Sequence, residues 1–121
     1  VVEEDESVRA TLQRILLARG YQVRGAVSRA DAERIVANIR EPVHLVLCRI
    51  GPDGRSARSF TKRVRSTHPE ANFLLIASRD DDHSPGEPPA RSLVLQKPFT
   101  VDELIVAVRE TLAAGPPLSP P

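Results

Sequence analysis

A doubly wound, five-stranded parallel sheet of the α/β class is the fold this sequence predicts, and three observations predict it. Two short apolar runs, Val43 to Leu47 broken only by His44 and Phe73 to Ala77, lack the polar alternation of a half-wet strand. Both read as strands covered on two faces, as in the middle of a parallel sheet. Segments with apolar residues at helical spacing lie between and around them, and capping residues, glycines and prolines mark the boundaries. Right-handed crossovers then place helices on both faces of the sheet.

Taken in order, Val1 and Val2 read as the end of a strand whose earlier residues have been trimmed, followed at once by the acidic run Glu3, Glu4, Asp5, Glu6. Ser7 is the expected cap of a helix carrying Val8, Leu12, Ile15 and Leu16 on one face, with Gly20 as its stop. Tyr21, Val23 and Gly25 alternate with polar residues and predict a short second strand. Ser28 with Asp31 resembles a capping box before Ala32, Ile35, Val36 and Ile39, the apolar stripe of a second helix. Pro42 closes that region and the first buried run begins. Gly51, Pro52, Asp53 and Gly54 predict a turn, and Ala57, Phe60 and Val64 give the buried stripe of a third, strongly basic helix.

The second buried run follows, and then the segment Ser78 to Ala90, whose three prolines and one glycine forbid more than a turn of helix. The fourth helix of the alternation is therefore expected to be short or replaced by a loop. Asp80, Asp81, Asp82 and His83 inside it lack a second ligand cluster and read as a solvated acidic loop rather than a metal site. Leu93 to Leu95 predict the last strand. Thr100 with Glu103 forms a capping box for a helix with Leu104, Val108 and Leu112 on one face. The organisation expected is one domain over 1–114 and a Pro-rich tail or linker over 115–121.

Composition narrows the function classes. Seventeen basic against sixteen acidic residues leave a net charge of +1, so nothing in the balance calls for nucleic acid or an anionic membrane. Aromatics at 3% argue against a base-stacking surface. No stretch approaches the length of a membrane span, no signal peptide opens the chain, and the single cysteine, Cys48, sits inside a buried run; a cytoplasmic protein is expected. Neither the G-x-G-x-x-G pattern nor a P-loop occurs, which removes the main support for a nucleotide-binding reading. His44, His68 and His83 assemble no base and nucleophile pair, so an enzyme is not expected. The position that stands out is Arg49. It ends the first buried run, where the carboxyl ends of parallel strands open onto the ligand crevice, and it is a permanent cation.

With VVEEDESVR at the start, HLVLCRI in the middle and LQKPFTVDEL near the end, in that order, the chain resembles the receiver domain of bacterial response regulators. The resemblance runs from Val1 to about Ala113. It implies a flavodoxin-like, chemotaxis-regulator-like sheet in the strand order 2-1-3-4-5. It also implies a phosphorylation switch in two-component signalling: an acidic pair holding Mg²⁺, an acceptor aspartate at the end of the third strand, a lysine contacting the phosphoryl group, and a hydroxyl residue and an aromatic that report the change. The acidic pair falls on Glu3 and Glu4, with glutamate first where aspartate is usual, and the lysine on Lys97. Arg49 stands where the acceptor should be, Ala77 where the Ser or Thr should be, and Val94 where the aromatic is usual.

A guanidinium has no nucleophilic oxygen and is not deprotonated at any useful pH, so it cannot become an acyl phosphate. Glu3, Glu4, Arg49 and Lys97 sum to about zero charge, which leaves Mg²⁺ little reason to bind. The resemblance, with these departures, implies a degenerate receiver: a protein-interaction module independent of its own phosphorylation, with no catalytic residue and no cofactor. Its expected partners are other signalling proteins or domains of the same polypeptide. A homodimer is compatible with the sequence, whereas nucleic acid and membrane are not expected. Arg49 and Lys97 are expected to form a standing ion-pair cluster with Glu3 and Glu4. Two alternatives stay open: phosphorylation at a displaced carboxylate, Asp53, and an anion or small-ligand sensor in which Arg49 and Lys97 grip the ligand.

Overall fold

The computed structural model describes residues 1–50, 54–78 and 92–113, apart from the side chains of 54–56. The elements run α1 (Glu6–Ala18), α2 (Arg29–Asn38), β1 (Leu45–Arg49), α3 (Gly54–Thr67), β2 (Asn72–Ala77), β3 (Ser92–Gln96) and α4 (Val101–Ala113). Asp53, the expected loop beyond Ser78, and the Pro-rich segment 115–121 lie outside the described residues.

The helix ends follow from local chemistry. Asp5, not the expected Ser7, caps α1: its Oδ1 accepts from the Val8 amide at 3.1 Å. A carboxylate satisfies the orphan amide and also suits the positive end of the helix, which a hydroxyl two residues later does not match. At the other end Gly20 takes φ +91°, and the Gly20 and Tyr21 amides donate to the Leu17 and Leu16 carbonyls at 3.0 and 3.3 Å. That pair of bonds is the Schellman closure, and the left-handed residue in it favours glycine. Ser28 caps α2 as expected, with the Asp31 amide 3.0 Å from its hydroxyl. The Asp31 carboxylate reaches past Ser28 to the Val27 amide at 3.1 Å. The capping box of α4 is complete: Glu103 N–H donates to the Thr100 hydroxyl at 3.0 Å and Thr100 N–H to the Glu103 carboxylate at 3.2 Å.

The sheet is parallel, in the order β1-β2-β3, with Leu45 opposite Asn72 and Phe73 opposite Ser92. Among the described residues, three of the five strands expected form this sheet. Residues 1–3 join through an isolated parallel bridge, Val2 to Ala26. The Val2 amide donates to the Leu47 carbonyl at 2.8 Å, and the Glu3 and Ala26 amides bond to Ala26 and Val1 carbonyls at 2.9 and 2.8 Å. The segment thus lies between residue 26 and β1, joined to each by isolated hydrogen bonds and not by a ladder. Tyr21 to Gly25 accordingly form no strand, and β1 starts at Leu45 rather than Val43.

Alternation along the buried strands splits the core in two. Val46, Cys48, Phe73 and Leu75 pack with Phe60 and Val64 of α3 and with Ala32 of α2. Leu47, Leu74 and Ile76 pack on the other face with Leu12 and Leu16 of α1 and Leu104, Ile105 and Val108 of α4. Every residue of β2 is buried, the pattern of a strand covered on both faces. No helix among the described residues is long and apolar enough to cross a membrane.

Candidate functional site

Parallel register brings the carboxyl ends of the three strands to one edge. Arg49 lies opposite Ile76, and Ala77 opposite Gln96. The Ile50 amide donates to the Ile76 carbonyl and the Lys97 amide to the Ala77 carbonyl, each at 2.8 Å. Arg49, Ala77 and Lys97 therefore stand side by side where parallel sheets open their crevice. The hydrogen bond from the Val2 amide to the Leu47 carbonyl of β1 brings Glu3 to the same edge.

Glu3, Arg49 and Lys97 line one cleft, whose walls are apolar: Val2, Val8, Leu12, Leu47, Ile76 and Phe99. Glu4, the other half of the expected acidic pair, is exposed and is not among the lining residues; its amide donates to the Glu3 carboxylate at 2.8 Å. Among the described residues no ion pair joins Glu3 or Glu4 to Arg49 or Lys97. The expected cluster is thus a convergence of three side chains on one cleft. Ala77 is fully buried, and Val94, midway along β3, is 45% exposed.

Two arginines that sequence reasoning did not single out hold this edge. Arg29, the first residue of α2, donates to the Arg49 and Ile50 carbonyls at 2.7 and 3.0 Å and lies 5.7 Å from the Phe60 ring centre. It ties α2 to the backbone at the end of β1, and the ring face favours the cation. Arg9 donates to the Glu3 carbonyl at 2.8 Å. A signal for Arg29 was present: a cation in the first turn of a helix opposes the macrodipole, so another contact has to hold it there.

The other reactive groups are committed elsewhere. Cys48 is 2% exposed, and burial pushes its thiol up to about 11. His68 is buried, with Nε2 2.7 Å from the Val36 carbonyl oxygen and Nδ1 3.3 Å from the Glu70 carboxylate. Glu70 also accepts from the Val43 amide at 3.1 Å. Partial burial pushes the Glu70 carboxyl up, but the hydrogen bonds it accepts, from its own amide, Val43 and His68, outweigh that and hold it below the usual range.

No family model matches the chain. Among curated proteins it is similar to the sensor kinase CckA of Brucella abortus (strain 2308), at 28% identity over 93% of this chain and 12% of the kinase. It is also similar to the response regulator MprA of Mycobacterium sp. (strain KMS), at 31% identity over 97% of this chain and 51% of that protein. The chain thus spans about half the length of one relative and a small part of the other. Among solved structures it is similar to the receiver domain from the hybrid histidine kinase CckA, with 26% identity, a TM-score of 0.69 and coverage of 92% of this chain and 94% of that one. A response regulator receiver protein from Sinorhizobium medicae WSM419 gives a TM-score of 0.70 at 22% identity, covering 93% and 91% of the two chains. Its homologues and structural neighbours are response-regulator receiver domains, and the fold described above is the receiver fold.

Proposed function

We propose, for a chain whose relatives and structural neighbours are response-regulator receiver domains, that it is a degenerate receiver: a cytoplasmic module of two-component signalling that acts without being phosphorylated itself. Its partners are other signalling proteins or domains of its own polypeptide, and it is neither an enzyme nor a cofactor carrier. The observation that carries this reading is the side chain at the end of β1. Arg49 shares its cleft with Lys97 and Glu3, in the place where a receiver needs an aspartate. A guanidinium supplies no oxygen to attack phosphorus and repels the metal that would assist the attack.

The donor set does not fit Mg²⁺ either. That ion takes six oxygen ligands in near-octahedral array and is bound through carboxylates. Glu3 alone of the acidic pair lines the cleft, two cations line it with Glu3, and among the described residues no group of three or more His, Cys, Asp or Glu gathers anywhere. Ala77 in place of a hydroxyl residue and Val94 in place of an aromatic support the same conclusion, because both reporters of the phosphoryl group are missing.

Acetyl phosphate with Mg²⁺, followed by intact mass, tests the proposal, with no phosphoryl-sized gain expected. A gain lost in Asp53→Ala would instead establish Asp53 as a displaced acceptor, and a gain surviving that change would refute the reading altogether. Arg49 and Lys97 on one cleft also favour a second reading, an acidic small ligand held at this edge; Glu3 beside them opposes it by repulsion.

A further inference from the structure

We infer that the outer face of α3 is a docking surface for an acidic segment of a partner protein, a contact that rests on the reading of this chain as an interaction module. α3 carries five basic residues and no acidic one. The other helices each place a carboxylate in the first turn: Glu6 in α1, Asp31 in α2, Asp102 and Glu103 in α4. The basic residues of α3 differ in what they do. Arg65 is occupied, donating to the Ala71 carbonyl at 3.1 Å with its guanidinium 5.1 Å from the Phe73 ring centre. Arg63 pairs with Glu33 of α2. Arg58 and Lys62 are exposed, and among the described residues neither has a hydrogen bond or an ion pair.

Arg58 and Lys62 are four residues apart, so they stand one above the other on the helix, where like charges repel. The buried stripe of Ala57, Phe60, Thr61 and Val64 is turned the other way, into the core. Among the described residues no carboxylate compensates this pair, and a partner carboxylate would relieve the repulsion. From Arg58 to Lys62 the cationic strip is about 6 Å long, enough for two carboxylates of a peptide. It is short for duplex nucleic acid, whose affinity comes from many phosphate contacts at once. α3 also has no Asn or Gln for base edges, and its single aromatic, Phe60, is fully buried.

The test is fluorescence anisotropy of a fluorescein-labelled deca-glutamate peptide with the whole chain, repeated at several salt concentrations. The double variant Arg58→Glu/Lys62→Glu is expected to weaken binding about tenfold. The double variant Arg14→Glu/Arg109→Glu, which makes the same change in net charge at exposed sites on α1 and α4, is expected to leave it within about twofold. Circular dichroism checks that each variant is folded, and the milder Arg58→Gln/Lys62→Gln gives the same comparison should the first fail to fold. Equal losses in the two charge-matched pairs, no binding by the unsubstituted chain, or tighter binding of a duplex DNA would overturn the inference. So would self-association abolished by the α3 changes, which would make a second copy the occupant. The phosphoryl-transfer assay is read separately, so a failure here leaves the degenerate-receiver reading standing and the reverse also holds.

Discussion

Cys48 lies on β1 with its side chain in the core, and its burial, which pushes the thiol up to about 11, keeps it protonated at neutral pH. An alkylating reagent such as N-ethylmaleimide is therefore expected to leave the native chain unlabelled at pH 7.5 and to label it once, completely, in denaturing urea; intact mass reads both. Native labelling at the speed of a free thiol would mean that β1 opens readily. Cys48 was legible in the sequence because a cysteine inside an apolar run has nowhere to go but the core. Arg49, one residue on, was legible because the run stops at a charge. Arg29 was not, since its partners are carbonyls about twenty residues away and no periodicity announces a side chain that reaches backbone across the fold. Glu4 shows a related limit: it is exposed while Glu3 lines the cleft, so two acids adjacent in sequence need not share one site.

Helix α3 is anchored by Phe60, which is fully buried and packs edge-on against Phe73, with ring centres 5.9 Å apart and planes at 87°. Replacing Phe60 by Ala removes that pair and the ring beneath Arg29, and is expected to cost about 3–5 kcal/mol in urea unfolding. A loss under about 1 kcal/mol would mean that the helix closes over the cavity. At this scale the sequence was most informative where one local rule acted alone. The Thr100 and Glu103 box and the Gly20 stop both form as their residues imply. It was least informative where two rules competed: Ser7 is a good cap by type, but Asp5 precedes it, has the same capacity and adds charge. The expected strand at Tyr21 to Gly25 had the right alternation, yet alternation in one segment says nothing about the segment it would pair with, and the pairing seen is the single bridge at Ala26.

Glu70 shows how distant segments are joined. It follows α3, receives the Val43 amide ahead of β1, and contacts His68, which in turn bonds the last turn of α2 at Val36. Its carboxyl is held below the usual range, so the folded state favours the ionised form relative to the unfolded chain. The sign follows from linkage. The stabilisation is fully present above the ordinary glutamate value of roughly pH 4.3 and is lost as pH falls through the lower folded value. Urea midpoints measured from pH 6 down to pH 3 are expected to fall along that limb, and Glu70→Gln to flatten it; an unchanged slope in the variant would place the acid sensitivity elsewhere. The alternating burial of β1 and β2 has a consequence for the molecule as a whole. Phe73 and Leu75 belong to one half of the interior, Leu74 and Ile76 to the other. β2 is thus a party wall between two rooms: neither pair of helices can lift away without stripping one side of a strand the other pair still needs. The two halves are bound to melt together, and β2 is where protection against amide exchange should last longest.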